Sequence, residues 1–189
     1  MKNIVIFASG TGSNAENIIQ YFKNNTSKSV VAVFSNNSNA KVLEKANNLN
    51  VHTVSFNKDE LYGDFVLSKL IELKPDLIVL AGFLLKFPEH IIAAFPNKII
   101  NIHPALLPNY GGKGMYGKHV HQAVLDNKET ETGITIHFVN EQYDEGRIIL
   151  QEKTSISDCT TSEEVATKVH ELEHRFFPQV IDQLLTRNL

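Results

Sequence analysis

Residues 3–15 read NIVIFASGTGSNA, in which an apolar run is followed by a glycine-containing loop and the start of a helix. The run at residues 4–8 is short and rich in β-branched side chains, which predicts a buried strand. Gly10 and Gly12 allow the chain to turn tightly, and the apolar spacing over residues 15–23 predicts a helix. A strand that leads through such a loop into a helix is the first half of a β-α-β unit, so this stretch indicates an α/β fold.

The same alternation of short apolar runs and helical patterns continues to residue 102. Further strands are predicted at residues 30–34, 51–54, 77–80 and 99–102, and helices at residues 40–49, at residues 58–73 and after Pro88. Because such alternation covers both faces of a mostly parallel sheet, we expect a Rossmann-like open sheet with helices on both faces. No repeat, low-complexity tract or linker interrupts the pattern, so residues 1–189 are predicted to form a single domain.

The pattern changes in the last third of the chain. Residues 135–139 and 148–153 are predicted strands joined by a polar, glycine-containing segment, which indicates an antiparallel C-terminal extension of the sheet. Helical spacing then extends over residues 162–185, and Thr161 or Ser162 is a suitable N-terminal cap. Pro178 falls inside this segment and is expected to kink or split the helix.

The composition is that of a globular protein without a strong charge. Hydrophobic residues make up 42% of the chain, charged residues make up 21%, and the formal net charge is −3. This balance gives no reason to expect nucleic acid as a partner, and no apolar run approaches the ~20 residues that a membrane span requires. With one cysteine, Cys159, and no recognisable secretory leader, the chain is expected to be cytoplasmic.

The loop SGTGSN at residues 9–14 has the features of an anion-binding site. Its glycines let the backbone approach a ligand closely, and the helix start offers free N–H groups at the positive end of the helix dipole. Ser13 and Asn14 add side-chain donors, although either residue also suits a simple helix cap. The loop therefore predicts a phosphate site, with a plain turn as the alternative.

The same loop also matches the dinucleotide fingerprint G-x-G-x-x-A through Gly10, Gly12 and Ala15. That interpretation requires an acidic residue near the end of the second strand to hold the ribose hydroxyls. The second strand instead ends in FSNNS at residues 34–38, without an acid. A monophosphate is therefore favoured over NAD.

The segment NIHPALLP at residues 101–108 follows the fifth predicted strand. Residues two apart on a strand point to the same side, so Asn101 and His103 should project together. Pro104 favours an extended conformation for His103, at a strand exit where open α/β sheets bind ligands. An amide can donate to a developing oxyanion and a histidine can transfer protons near neutral pH, but the pair also suits a structural hydrogen bond.

A set of segments carries a resemblance beyond these local patterns. They are SGTGSN (9–14), LAGF (80–83), NIHPALLP (101–108), GITIHFVNEQYDEG (133–146) and the late pair Glu173-His174. Taken in this order and spacing, the set resembles glycinamide ribonucleotide formyltransferases over nearly the whole chain. The resemblance implies the formyltransferase fold and an enzyme that moves the formyl group of 10-formyltetrahydrofolate to the amine of glycinamide ribonucleotide.

The resemblance also implies roles for individual residues. The implied catalytic residues are Asn101, His103 and Asp144, with the aspartate raising the pKa of the histidine and holding it charged. Contacts with glycinamide ribonucleotide are implied for Gly12, Ser13, Asn14, His170 and Glu173. Contacts with the folate are implied for Leu84, Leu85, Lys86, Phe87, Asn101, Asn140, Glu141, Gln142, Tyr143 and Asp144. Without the resemblance, Asp144 fits a solvated turn and residues 170–174 fit an exposed helix face.

Two features depart from the family's usual pattern. Many relatives carry an arginine directly after GF, where this chain reads LLKF at residues 84–87, so folate contacts from that side chain are not expected here. The loop YGGKGMYG at residues 110–117 is longer than in several relatives, and its four glycines suit a mobile lid. His119 and His121 lack a clear carboxylate or cysteine partner, so no metal is expected.

Other functions fit parts of the pattern. A formyltetrahydrofolate hydrolase has a similar core with an extra N-terminal domain, and methionyl-tRNA formyltransferase has an extra C-terminal tRNA-binding domain. Neither is expected, because the first strand begins at Asn3 and the chain ends soon after the last helix. A nucleotide-binding sensor without catalysis and an NAD oxidoreductase are the remaining alternatives. We expect a monomer or homodimer whose partners are small-molecule substrates, with neither nucleic acid nor membrane.

Overall fold

The computed structural model of the chain describes residues 1–187. The strands are β1 (Lys2–Phe7), β2 (Lys28–Ser35), β3 (His52–Ser55), β4 (Leu77–Leu80), β5 (Ile99–His103), β6 (Glu131–Phe138) and β7 (Ile148–Ser155). The helices are α1 (Ser13–Phe22), α2 (Lys41–Asn48), α3 (Lys58–Tyr62), α4 (Asp64–Leu73), α5 (Glu89–Ala94), α6 (Lys118–Asp126) and α7 (Ser162–Thr186). Among the helices of residues 1–187, none combines the length and apolar character needed to cross a membrane.

The described strands form one sheet in the order β3-β2-β1-β4-β5-β6-β7. Neighbours from β3 to β5 are parallel, whereas β6 runs antiparallel to both β5 and β7. The predicted fold class, a mostly parallel sheet with an antiparallel C-terminal extension, is therefore confirmed. The strand order reverses between β1 and β4, and such a reversal opens a crevice outside the carboxyl ends of the strands.

Side chains of β1 alternate between two hydrophobic cores, one on each face of the sheet. Ile4 and Ile6 belong to a core with side chains of α1, α2 and α7, whereas Val5 and Phe7 belong to a core with side chains of α4 and α5. All four side chains are 0% exposed. Because helices cover both faces, both alternating positions of the strand are apolar, and the strand reads in the sequence as one continuous apolar run.

The predicted helix over residues 58–73 is two helices, which makes that prediction wrong. The break is at Gly63, which has an extended backbone (φ −90°, ψ −158°) and both ends α3 and starts α4. A Cβ at Gly63 would lie 3.0 Å from the Asp59 carbonyl oxygen, so the turn suits a residue without a side chain. The helix α6 was not predicted, because it is only nine residues long and follows directly on the glycine-rich loop.

Pro178 lies inside α7 and does not split it, so the split is excluded from the two predicted outcomes, a kink or a split. A proline cannot donate to the carbonyl four residues earlier, which here is that of His174. The side chain of Asn17 supplies the missing donor, with Nδ2 2.8 Å from the His174 carbonyl oxygen. A tertiary contact from α1 thus satisfies the carbonyl, and the helix continues. Its N-terminal cap is Thr161, one of the two predicted candidates.

A cluster of phenylalanine rings joins β1 to the segment after β4. The Phe7 ring packs against Phe34, Phe83 and Phe87, with centroid distances of 4.9, 5.5 and 5.1 Å respectively. Aromatic pairs at such distances add packing energy beyond the area that they bury. The cluster therefore fixes residues 83–87 relative to the end of β1.

Truncation of Phe7 tests this cluster. Phe7→Ala should lower the free energy of unfolding by about 3–5 kcal/mol, because a fully buried ring is replaced by a cavity. Urea denaturation followed by circular dichroism would measure the change. Ile71→Ala removes an apolar side chain that is 57% exposed and should change stability by less than about 0.5 kcal/mol. Equal losses in the two variants would contradict the assigned importance of the cluster.

Candidate active site

A cavity of about 760 Å³ opens where the carboxyl ends of β1, β4 and β5 meet the start of α7. It lies at the crevice created by the reversal of strand order. All the site residues predicted from the sequence line it: Gly12, Ser13, Asn14, Leu84, Leu85, Lys86, Phe87, Asn101, His103, Asn140, Glu141, Gln142, Tyr143, Asp144, His170 and Glu173. The structure thus brings together segments that are far apart in the sequence.

The glycine loop reaches α1 through a left-handed residue, Gly12, with φ 71°. A Cβ at Gly12 would lie 2.3 Å from Cγ2 of Val42, so both the conformation and the packing require glycine. Among the described residues, none caps α1 through its side chain, which excludes the cap interpretation of Ser13 and Asn14. The N–H groups of the first helical turn have no partner within a helix, and two of the residues that carry them, Ser13 and Asn14, line the cavity, where a helix start can bind an anion.

Ser9 ties the glycine loop to its two neighbours. Its hydroxyl donates to Oδ1 of Asn36 at 2.6 Å and accepts from the backbone N–H of Leu84 at 3.0 Å. The residue at the end of β2 is therefore an amide already engaged with Ser9, where a dinucleotide site would need a free carboxylate. This arrangement agrees with the preference for a monophosphate over NAD.

His103 lies at the end of β5 and is 3% exposed. Its Nε2 atom is 2.7 Å from the carbonyl oxygen of Tyr110. Because a carbonyl can only accept, Nε2 carries the proton and donates to it. The second ring nitrogen, Nδ1, faces Oδ2 of Asp144 at 3.6 Å. In the neutral ring Nδ1 is unprotonated. The nitrogen that can accept a proton therefore lies beside the Asp144 carboxylate.

Asp144 has a left-handed backbone, with φ 56°, in the turn between β6 and β7. Its Oδ2 accepts from the N–H of Gly112 at 2.9 Å, and its Oδ1 lies 3.5 Å from Nδ2 of Asn101 and 3.6 Å from Nε2 of His137. Burial raises the pKa of this carboxyl, but the His137 and His103 rings in their protonated forms, together with the Gly112 N–H, lower its pKa below the usual value. Asp144 is thus a partly buried, ionised group, and the solvated-turn interpretation is wrong.

The predicted effect of Asp144, which is to raise the pKa of His103, is present, but the opposing effect of burial is larger. Burial of the ring lowers the pKa of His103, and although the Asp144 charge and the Tyr110 carbonyl raise it, the net shift is downward. Burial disfavours the charged imidazolium because the ring loses its hydration. His103 is therefore neutral in the unliganded protein near neutral pH, with Asp144 placed to stabilise the cation once a proton is gained.

Glu173 on α7 is 5% exposed, so the exposed-face interpretation is wrong for this residue. Its Oε2 accepts from Nδ2 of Asn14 at 2.8 Å and lies 2.7 Å from Nδ1 of His170. This hydrogen bond is the main reason that the pKa of His170 is raised. The Oδ1 atom of Asn14 has no hydrogen-bond partner within residues 1–187, and it is buried in the cavity wall. His170 and His174 are exposed, as expected.

The side chains predicted to contact the folate differ in their exposed fraction, even within one segment. Phe87 is 4% exposed, whereas Leu84 is 50% and Tyr143 is 39% exposed, which gives the cavity apolar walls. The Lys86 ammonium pairs with Oε1 of Glu89 at 3.2 Å. Lys86 therefore forms an ion pair with the first residue of α5.

Sequence reasoning missed several groups in the cavity region. They are the Tyr110 carbonyl that accepts from His103, the buried ring of His137 on β6 and the buried ring of His121 on α6. His121 is 3% exposed, its Nδ1 is unpaired within the described part of the chain, and burial lowers its pKa. Across residues 1–187, no three His, Cys, Asp or Glu side chains are grouped so that they could hold a metal ion.

Comparison with known proteins places this geometry in a family. A family model described as Formyl transferase matches residues 2–181. Phosphoribosylglycinamide formyltransferase of Escherichia coli (strain K12) is 35% identical over 185 residues, which cover 95% of this chain and 85% of that protein. The chain belongs to the phosphoribosylglycinamide formyltransferase family. The crystal structure of the Brucella melitensis member matches with a TM-score of 0.86 at 35% identity, covering 97% of this chain and 95% of that one.

Some members of the family are longer than this chain. The chloroplastic phosphoribosylglycinamide formyltransferase of Arabidopsis thaliana is 37% identical over 187 residues. The match covers 95% of this chain but 64% of the plant protein, so the chain spans less than two thirds of that relative. The residues that the family model matches, 2–181, include all those that line the cavity.

Replacement of Asp144 tests the electrostatics of the site without substrate. In Asp144→Asn the pKa of His103 should fall further below its value in the unmodified chain, because the carboxylate charge that raises it is removed. An NMR titration of the histidine ring signals would measure this shift. Glu145→Gln removes the neighbouring exposed carboxylate and should leave the His103 titration unchanged. An unchanged pKa in Asp144→Asn would mean that the two groups do not interact.

Proposed function

We propose that this chain transfers the formyl group of 10-formyltetrahydrofolate to the amine of glycinamide ribonucleotide. The products are N-formylglycinamide ribonucleotide and tetrahydrofolate, in de novo purine biosynthesis. The observation that carries the proposal is that Asn101, His103 and Asp144 lie in one cavity between an anion-binding helix start and apolar walls. The names of the E. coli and Arabidopsis relatives support the same activity.

In this proposal the ribonucleotide binds along α1 and α7. Its phosphate meets the N–H groups at Gly12, Ser13 and Asn14, where the helix dipole favours negative charge. Glu173 and the unpaired Oδ1 of Asn14 offer buried acceptors for donor groups of the substrate, such as its amine and hydroxyls. His170 holds the Glu173 carboxylate through a 2.7 Å contact. The acceptor substrate is thus held by charge at one end and by hydrogen bonds at the other.

The folate occupies the part of the cavity between residues 84–87 and residues 140–144. Leu84, Phe87 and Val139 form apolar walls that exclude water from a planar ring system. The backbone of the two segments supplies donors and acceptors for the ring edge. The cavity volume of about 760 Å³ lies within the range of roughly 300–1,000 Å³ that is typical of ligand pockets. The formyl group is then delivered next to Asn101.

The chemistry is a direct acyl transfer. The neutral amine attacks the formyl carbon, a C–N bond forms, and the carbonyl oxygen becomes a tetrahedral oxyanion. An amide N–H of Asn101 donates to that oxygen, which is the type of stabilisation that contributes most to acyl transfer. Collapse of the intermediate breaks the bond between the formyl carbon and the folate nitrogen.

His103 and Asp144 carry the proton. The attacking nitrogen loses one proton and the departing folate nitrogen gains one, so the reaction needs a group that can do both. His103 is neutral before reaction and has an unprotonated Nδ1, 3.6 Å from Oδ2 of Asp144. Protonation converts this contact into an ion pair, and the resulting imidazolium also stabilises the oxyanion. The depressed pKa keeps the ring ready to accept the proton.

The organisation of the working protein is part of the proposal. Residues 1–189 act as one domain, with both substrates bound in the same cavity, and neither nucleic acid nor a membrane takes part. The enzyme works in the cytoplasm as a monomer or homodimer. The glycine-rich loop at residues 110–117 borders the cavity and contributes the contacts of Tyr110 and Gly112 to the catalytic side chains.

A deformylation assay tests the proposed activity. Purified protein is mixed with 10-formyl-5,8-dideazafolate and glycinamide ribonucleotide, and the absorbance change is followed with each substrate omitted in turn. We expect deformylation that depends on the ribonucleotide. Release of the folate product without the ribonucleotide would indicate a hydrolase, and no release in either case would contradict catalysis.

His103→Ala tests the proton transfer. The variant should bind glycinamide ribonucleotide with unchanged affinity, measured by calorimetry, while kcat falls by about 10²–10⁴-fold, the usual contribution of a general acid or base. His119→Ala is the control, because His119 is an exposed histidine that does not line the cavity, and its kcat should be unchanged. Near-normal turnover in His103→Ala would refute the assigned role.

A further inference from the structure

His137 lies directly beside the proposed catalytic residues but has no role in the chemistry described above. It is on β6, opposite Asn101 of β5 in the antiparallel register, and it is 2% exposed. Its Nε2 is 3.2 Å from Nδ2 of Asn101, and its Nδ1 is 2.9 Å from the carbonyl oxygen of Phe138. Both ring nitrogens therefore have a polar neighbour in a buried environment.

The neighbours determine where the ring proton lies. The Phe138 carbonyl can only accept, so Nδ1 of His137 carries the proton and donates to it. In the neutral ring Nε2 is then an acceptor, and the group that it meets on Asn101 must be a donor. Nε2 thus accepts one N–H of the Asn101 carboxamide. If the carboxamide were turned by 180°, its oxygen would take the place of Nδ2. That oxygen would then face both the lone pair of Nε2 and the Asp144 carboxylate, whose Oδ1 lies 3.5 Å from Nδ2 in the observed orientation.

The ring itself is held in place. Gly146, in the turn after β6, is buried and packs so closely that an added Cβ would lie 1.6 Å from the Phe138 carbonyl oxygen and 3.4 Å from Nδ1 of His137. The turn therefore covers the carbonyl and the ring together. A 180° flip of the ring would lose the bond to Phe138, which costs about 1–3 kcal/mol for a buried unsatisfied group.

We infer that His137 is a positioning residue that fixes the side-chain carboxamide of Asn101 so that its NH₂ group, not its oxygen, is available to the reaction. One N–H is committed to Nε2 of His137 at 3.2 Å, and the same rotation turns the second N–H toward Oδ1 of Asp144 at 3.5 Å, a long contact that the oxyanion replaces during the reaction. The inference rests on the proposed function, in which Asn101 stabilises the tetrahedral intermediate. His137 acts through Asn101 and does not touch the reacting atoms.

A matched pair of variants tests this role. His137→Gln keeps an oxygen acceptor near the position of Nε2, whereas His137→Leu removes it while keeping a buried side chain. For the leucine variant we expect kcat to fall by about 10²-fold, the lower end of the effect of losing one oxyanion donor, with KM for both substrates nearly unchanged. The glutamine variant should recover most of that loss. A KM increase, or equal losses of kcat in the two variants, would overturn the inference.

A second measurement does not depend on turnover. The side-chain NH₂ group of Asn101, identified by comparison with Asn101→Ser, is followed in ¹H–¹⁵N spectra of the unliganded protein. Its proton signals should move in His137→Leu and return toward their original positions in His137→Gln, and no movement would overturn the inference. If the unmodified chain shows no ribonucleotide-dependent deformylation, the proposed function fails, while this spectrum still tests the contact between His137 and Asn101.

Discussion

The carboxylate of Asp144 receives contacts from three parts of the chain. The loop after β5 donates through the Gly112 N–H, β5 contributes His103 at 3.6 Å, and β6 contributes His137 at 3.6 Å. A partly buried carboxylate stays ionised only if donors such as the Gly112 N–H and the Asn101 amide replace its hydration, and the two histidines add to this when they are protonated. The positions of the loop and of the two strands are therefore linked through one charge, and loss of any partner would change the electrostatics of the others.

The antiparallel end of the sheet makes this arrangement possible. A parallel crossover after β6 would require a long connection with a helix, whereas the observed β6–β7 connection is only residues 139–147, which carry Asp144 and line the cavity at 139–144. Asp144 has a left-handed backbone, φ 56°, a conformation that aspartate and asparagine tolerate better than most residues. The turn thus combines a specific backbone shape with the one charged group that the site requires.

The sequence predicted the fold well because its signals are local. Strand β4 has the predicted limits, and the glycine loop after β1 leads into a helix as expected. The break at Gly63 and the continuity of the helix at Pro178 were not predicted, because both depend on contacts that local patterns do not contain. In the second case the deciding donor, Asn17, lies on a different helix.

The candidate site was predicted mainly through resemblance, and the groups that were missed share a physical reason. The Tyr110 carbonyl is a backbone atom, so no residue type signals its contact with His103. His137 occupies a strand position within a run of seven consecutive buried residues, so its place in the strand does not mark it as functional. The direction of the His103 pKa shift depends on the balance between burial and the Asp144 charge, and only a three-dimensional structure gives both.

The loop at residues 110–117 meets the proposed catalytic side chains through its main chain: the carbonyl of Tyr110 and the N–H of Gly112. The backbone at Gly112 has φ 95°, which restricts that position to glycine, but the side chains at residues 113–116 enter neither bond. The two bonds therefore depend on the length and backbone path of the loop and not on the side chains at residues 113–116. Substitution of Lys113, Met115 or Tyr116 would leave both bonds in place, whereas the loss of one residue between 110 and 112 would withdraw a partner from both His103 and Asp144.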